Sequence, residues 1–133
     1  MKPQAPRFDA FDADACREIA QDLANHEGPL LPILHALQDR FGYIDQAALP
    51  VIADVLNLSR AEVHGVVTFY HDFRSRPPGR HVVKICRAEA CQALGAQKLF
   101  DEVAAASAEN GAVTVEAVYC LGNCALSPAA VID

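Results

Sequence analysis

Apolar residues recur every third or fourth position through the first half of the chain. In the second half they gather into short runs. Phe11, Ala15, Ile19 and Leu23 stand four apart and predict a helix that Asp9 or Asp12 caps and Gly28-Pro29 ends. Leu30, Ile33, Leu34, Leu37 and Phe41 share one face of a second helix, closed by Gly42. Asp45 can cap a third, with Leu49, Ile52, Ala53 and Leu56 inward. Pro50 falls inside that window, so the helix is expected to begin there after a preliminary turn. Ser59-Arg-Ala-Glu62 is a capping box, in which hydroxyl and carboxylate satisfy each other's backbone N–H groups. It opens a fourth helix with Val63, Val66, Val67 and Tyr70 on one side. Four short amphipathic helices over 9–76 predict a small bundle, behind a flexible tail over 1–8.

Arg74-Ser-Arg-Pro-Pro-Gly-Arg80 breaks the helical pattern, because two prolines and a glycine cannot continue a helix. A second domain over 77–133 follows, and its pattern is strand, helix, strand. His81-Val-Val-Lys-Ile85 reads as a strand. Cys91, Leu94, Leu99, Val103 and Ala106 read as one helix that ends near Asn110-Gly111. Val113–Tyr119 reads as a second strand, and Pro128-Ala-Ala-Val-Ile132 as the start of a third. This order favours a right-handed crossover and a parallel pair. The expected fold class is therefore α+β, a helical bundle followed by an α/β domain.

Half of the residues are apolar, so a core can form without disulfide staples. A formal charge of −6 and no visible basic face argue against nucleic acid. No apolar run approaches the roughly 20 residues that span a bilayer. Met1-Lys-Pro-Gln-Ala-Pro lacks the apolar stretch of a secretory signal. The expected compartment is the cytoplasm, where thiols stay reduced and free for metals.

Four of the five cysteines form two close pairs, Cys86-x4-Cys91 and Cys120-x3-Cys124. Each pair follows a predicted strand. Strands that end at the same sheet edge bring all four sulfurs together, and converging thiolates are ligands for zinc or an iron–sulfur cluster. Structural zinc sites usually use C-x2-C knuckles. Gaps of four and three residues suit two irons with bridging sulfides, each iron taking two thiolates. Gly122 admits backbone close to a sulfide without a Cβ, and Gly95 can do likewise. A helix beginning near Cys91 would aim its N–H groups at an anionic cluster. Zinc ligation, free core thiols and two disulfides remain as other readings of the same residues, the last disfavoured by a reducing compartment. Zinc would make the chain a metal-stabilised interaction module. Cys16 has no partner cysteine near it in sequence and reads as a buried thiol.

With these residues in place the chain resembles the thioredoxin-like [2Fe-2S] ferredoxins. They serve as small subunits of NADH dehydrogenase modules in respiratory complex I, NAD-linked hydrogenases and NAD-dependent formate dehydrogenases. That family's C-x4-C and C-x3-C pattern matches Cys86, Cys91, Cys120 and Cys124, and its Gly-Val-x-Thr-Phe-Tyr signature reads here Gly65-Val-Val-Thr-Phe-Tyr70. Ser59 to His71 and Cys86 to Gln92 look most like the gamma subunit of soluble, molybdenum-containing, NAD-dependent formate dehydrogenase. The resemblance implies an electron carrier, not a complete enzyme. It implies four cysteine ligands to one [2Fe-2S] cluster, and hydrogen bonds to sulfur from Gly122 and its neighbours Leu121 and Asn123 that tune the potential. FMN and NAD would belong to a diaphorase partner subunit, and through it electrons would come from a molybdenum catalytic subunit. Family members usually continue past the third strand, so a chain ending at Asp133 is expected to lack the C-terminal part of that fold and to leave a sheet edge open.

Other residues carry weaker signals. Thr68-Phe69-Tyr70 reads as packing, with a hydroxyl bonding a helix carbonyl, or as a partner contact. His26, His35, His64, His71 and His81 are scattered, and His64 with His71 is neither i,i+3 nor i,i+4. Arg74, Arg76 and Arg80 read as a solvated linker, or as a docking patch for an acidic partner.

Overall fold

Asp12 sets the start of the first helix. Its carboxylate accepts the Ala15 N–H at 2.8 Å, and α1 runs Ala13–Leu23. The computed structural model describes residues 7–108 and 111–133. Most of the expected tail, and the helix end expected near Asn110, lie outside them. α1 stops at Leu23, short of Gly28, and turns occupy the residues between. α2 spans Leu30–Phe41 and ends on Gly42 at φ +83°, whose N–H reaches the Gln38 carbonyl at 2.7 Å. Gly42 is required twice over. The left-handed φ favours it, and a Cβ there would come within 2.7 Å of the Phe8 ring.

α3 spans Ala48–Leu56, two residues earlier than Pro50 suggests. Proline is tolerated because Pro50 falls in the first turn, where N–H groups have no intrahelical partner to lose. Asp45 accepts from the Ala47 N–H at 2.8 Å and from the Tyr43 hydroxyl at 2.6 Å. The capping box forms as expected. Ser59 Oγ accepts the Glu62 N–H at 3.1 Å, the Glu62 carboxylate accepts the Ser59 N–H at 2.8 Å, and α4 spans Arg60–Phe69. The Ser59 N–H and hydroxyl, both donating to the carboxylate at 2.8 Å, hold the Glu62 carboxyl below its usual pKa.

The chain divides between Pro77 and Pro78 into two compact units. In the helical unit α1 packs on α2 and α3, and α3 packs on α4. The core joins Cys16, Ala20, Ile33, Leu34, Leu37, Phe41, Ile44, Ile52 and Val63. Each large side chain there contributes about 1.5–3 kcal/mol by leaving water. Gln38 is the buried polar residue of this core. Its amide donates to the Asp72 carbonyl and accepts the Arg74 N–H, both at 2.7 Å. The Ile44 N–H donates to the Arg74 carbonyl at 2.8 Å. The irregular segment after α4 is thereby stitched to α2.

In the second unit β1 (His81–Cys86) lies between β2 (Val113–Val118) and β3 (Ala130–Ile132). β1 and β2 are parallel, with Cys86 opposite Val118; β3 is antiparallel to β1. The single helix expected after Cys91 is two. α5 covers Glu89–Ala93 and α6 covers Ala96–Ala108. Leu94 leaves helical geometry and Gly95 turns to φ +91°, which breaks the ladder between them. α6 packs on β2 and β1. Gly79 enters this unit where a Cβ would meet the Ala112 carbonyl oxygen at 2.6 Å, and its N–H reaches Thr114 Oγ1 at 2.7 Å. Among the described residues no helix is long and apolar enough to cross a membrane.

Replacing Gln38 with Leu keeps the volume and leaves the Asp72 carbonyl and Arg74 N–H without their partner. The expected cost is about 1–3 kcal/mol. Urea unfolding should show the lower midpoint with an unchanged slope; an unchanged midpoint would mean that water replaces the amide.

Candidate metal centre

The two cysteine pairs meet because of strand direction and register. β1 ends on Cys86, and the Arg87 N–H extends the ladder to the Val118 carbonyl at 2.8 Å. β2 ends at Val118, two residues before Cys120. Both strands therefore deliver their cysteines to the carboxyl edge. The Cys86 N–H donates to the Ala129 carbonyl at 2.9 Å, which anchors the segment after Cys124 to the same edge.

The pairs differ in exposure. Cys86 and Cys91 are each 2% exposed, among Ala96 and Ala129, while Cys120 and Cys124 face solvent. Around the outer pair Tyr119, Leu121 and Leu126 are also exposed. Cys120 and Cys124 place their sulfurs 3.7 Å apart. A tetrahedral metal with thiolate bonds of about 2.3 Å has its sulfurs about 3.8 Å apart, so this pair already has the spacing of two ligands on one ion. Among the described residues no group of three His, Cys, Asp or Glu side chains is spaced to hold a single ion.

Backbone N–H groups converge on the sulfurs. The Gly122 N–H lies 3.3 Å from Cys120 Sγ. The Ala88 N–H, where α5 begins, holds the Cys86 thiol below its ordinary pKa; burial opposes this, and Cys91 and the N–H groups of Cys120 and Leu121 add to it. Cys86 thus feels the loop of the other pair. The Cys124 thiol is raised, first by its hydrogen bond and charge interaction with Cys120, then by burial and the charges of Cys91 and Cys86. Such mutual repulsion among thiolates is relieved when a cation group binds them.

The conformation here is special. Cys120 adopts φ +80° and Gly122 φ +78°. A non-glycine residue in the left-handed region costs roughly 1–2 kcal/mol. A Cβ on Gly122 would meet no protein atom within 4 Å, and its φ of +78° favours glycine for the turn. Gly95, at the break between α5 and α6, likewise has φ +91° and no protein atom near a Cβ. The N–H groups on sulfur come from Ala88, Cys120, Leu121 and Gly122.

Cys16 stands in the other unit. It is fully buried, and burial pushes its thiol up to about 11. Thr68 Oγ1 donates to the His64 carbonyl at 2.9 Å, as the packing reading expects, while Phe69 is 73% exposed. Tyr70, expected on the apolar side of α4, is itself exposed and lines a cleft of about 630 Å³ with Leu30, Leu31, Val55 and Leu56. Ser127 escapes a sequence reading. Its Oγ lies 3.3 Å from Cys91 Sγ and 2.8 Å from the Cys124 carbonyl. Ser-Pro marks a turn, but nothing local shows that this turn reaches Cys91, 36 residues away.

The family model of the thioredoxin-like [2Fe-2S] ferredoxins matches residues 16–133. The chain belongs to that family. One [2Fe-2S] cluster is the cofactor the family implies. Among curated relatives, the E subunit of NADH-quinone oxidoreductase from Pseudomonas aeruginosa is 30% identical over 86% of this chain and 75% of its own. The corresponding NADH-quinone oxidoreductase protein of Mycobacterium tuberculosis is 30% identical over 92% of this chain, which spans 51% of that protein. The NADP-reducing hydrogenase subunit HndA of Solidesulfovibrio fructosivorans is 33% identical over 84% of this chain and 71% of its own.

Thiol labelling of the metal-free, reduced chain should follow this geometry. The exposed Cys120 is expected to alkylate first at neutral pH, and the exposed Cys124 more slowly, because its raised thiol yields less thiolate. Cys16 should react only with unfolding, since burial shields it and keeps it protonated. Peptide mass spectrometry against time reads the order, and early labelling of Cys16 would contradict the packing of α1.

Proposed function

We propose that this chain is the [2Fe-2S] electron-transfer subunit of an NAD-linked oxidoreductase, with Cys86, Cys91, Cys120 and Cys124 as the cluster ligands. The observation that carries the reading is the convergence of two cysteine pairs at one sheet edge in a chain of this family. The relatives' names point the same way, being subunits of an NADH-quinone oxidoreductase and an NADP-reducing hydrogenase. On this reading FMN and NAD sit in a diaphorase partner subunit, and the protein works in the cytoplasm. Ser59 to His71 and Cys86 to Gln92 narrow the complex to a soluble, molybdenum-containing, NAD-dependent formate dehydrogenase, by their resemblance to its gamma subunit. On this reading the domain over 77–133 carries the cluster and the helical bundle over 9–76 precedes it.

When bound, the cluster takes up and passes on one electron at a time. The protein's residues do the rest. Cys86 and Cys91 hold the inner side, away from water. Cys120 and Cys124 hold the outer side, where a partner can approach. The N–H groups of Ala88, Leu121 and Gly122 stabilise negative charge on sulfur, which favours the reduced state and raises the potential. Apolar Tyr119, Leu121 and Leu126 lower the local dielectric when a partner covers them.

Anaerobic absorption and EPR spectra, with iron, sulfide and zinc counted, test this. Equal iron and sulfide, bands that bleach with dithionite and a rhombic S = 1/2 signal are expected. A colourless zinc protein that refuses anaerobic reconstitution would leave only the structural module. Copurification with tagged chain then distinguishes the complexes: a molybdenum subunit identifies the formate dehydrogenase, a nickel or quinone-linked assembly its paralogues.

Gly122→Ala is expected to lower the yield of reconstituted cluster and shift its potential, because φ +78° strains an alanine and displaces the N–H on Cys120. Unchanged yield and potential would remove Gly122 from the site.

A further inference from the structure

Ser127 joins the two cysteine pairs. It follows the 3-10 turn Cys124–Leu126, half-buried, and its hydroxyl donates to the Cys124 carbonyl at 2.8 Å. Its N–H points to the same carbonyl at 3.4 Å. The Cys91 thiol donates to Ser127 Oγ at 3.3 Å. One hydroxyl thus touches the buried pair through sulfur and the exposed pair through backbone. Two residues on, the Ala129 carbonyl holds the Cys86 N–H. Segment 124–130 is clamped on both members of the inner pair, and Ser127 is its side-chain contact with Cys91.

We propose that Ser127 is a positioning residue that fixes the distance between the two ligand pairs and tunes the cluster's reduction potential by a hydrogen bond to Cys91. This rests on the reading of the four cysteines as cluster ligands. Ligation changes which group donates across the 3.3 Å contact. The free Cys91 thiol can donate, so the serine accepts from it and passes its own proton to the Cys124 carbonyl. A ligating cysteine is a thiolate and can only accept. The hydroxyl has one proton and two acceptors within reach, and a thiolate carrying cluster charge is the stronger attraction. Rotation about the Cβ–Oγ bond turns the proton to Cys91 Sγ while the Ser127 N–H keeps the Cys124 carbonyl. Negative charge on sulfur grows on reduction, so this bond stabilises the reduced state more than the oxidised one and raises the potential. Cys91 is among the most buried of the proposed ligands, where a single donor has the largest effect because water does not compete.

The test uses the full chain with its cluster reconstituted anaerobically. Midpoint potentials come from EPR-monitored redox titration of wild type, Ser127→Ala and Ser127→Thr. Ser127→Ala should assemble a cluster of equal iron and sulfide, titrate at a lower potential and lose iron to a chelator faster. Ser127→Thr keeps the hydroxyl and should restore the wild-type midpoint. Pulsed EPR of the wild type in D2O should show an exchangeable deuteron coupled to the cluster that is absent in Ser127→Ala. A Ser127→Ala cluster with the wild-type midpoint and the same deuteron coupling would overturn the proposal while leaving the ligand assignment intact. If Ser127→Ala assembles no cluster but Ser127→Thr does so at the wild-type midpoint, the hydroxyl is the group that positions the pairs. If neither variant assembles, shape and not the hydroxyl governs the turn, and the proposal fails. A wild-type chain that forms no cluster at all would sink the ligand reading itself.

Discussion

The parallel pairing of β1 with β2, from His81 opposite Val113 to Cys86 opposite Val118, is what the rest of the cluster unit depends on. Cysteines 34 positions apart, such as Cys86 and Cys120, become neighbours only because both strands run the same way and stop at the same level. Register matters as much as direction. A slip of one residue along β2 turns each of its side chains to the other face and carries the Cys120 loop away from Cys86. α6 supplies the return path and covers the sheet, and β3 locks the far side of β1 through the Ala129 carbonyl. The chemistry of the site is thus a consequence of sheet geometry, and the loops only refine it.

The refinement is electrostatic. Thiols crowded together repel once ionised, and the structure answers with N–H groups from Ala88, Leu121 and Gly122. The left-handed φ values at Cys120 and Gly122 are what turn those groups inward. Strain of this sort persists where surrounding contacts over-determine it, and here they do: the β2 ladder on one side and the 3-10 turn on the other. The helical unit shows a different logic. Its apolar core is broad, and a buried amide, Gln38, helps the Ile44 N–H to hold the segment that leaves α4.

Much of this is legible from residue spacing. The apolar stripes of α1, α2 and α4, the Ser59–Glu62 capping box, Gly42 as a stop and the two cysteine pairs are local patterns, and local physics reproduces them. Sequence and structure part where two local rules compete or where a distant contact decides. Pro50 looks like a helix start because proline favours that place, yet the first turn tolerates it at a later position. Leu94 and Leu99 continue an apolar period across Gly95, and the break is a backbone event that periodicity does not register. The left-handed φ of Gly122 is likewise a backbone property that spacing does not register. The roles of Ser127 and Gln38 do not follow from sequence, because their partners lie more than thirty residues away. Gln38 does leave a trace: it interrupts the buried face of α2 four residues after Leu34, and a polar residue placed there needs a partner.

The small core of the second unit has a further consequence. Among the described residues, the cluster at the cysteine edge is Cys86, Cys91, Ala96 and Ala129, beside the buried Val82 and Ile85 of β1. The two alanines bury little apolar surface at that edge, so whatever the cysteines hold would add to the packing there. Binding free energy then contributes to folding free energy. A chain that has not received its iron and sulfide is then also a chain with a loosened sheet, open to proteases that a loaded chain resists. Loading and resistance to proteolysis would then rise together, through packing at the sheet edge.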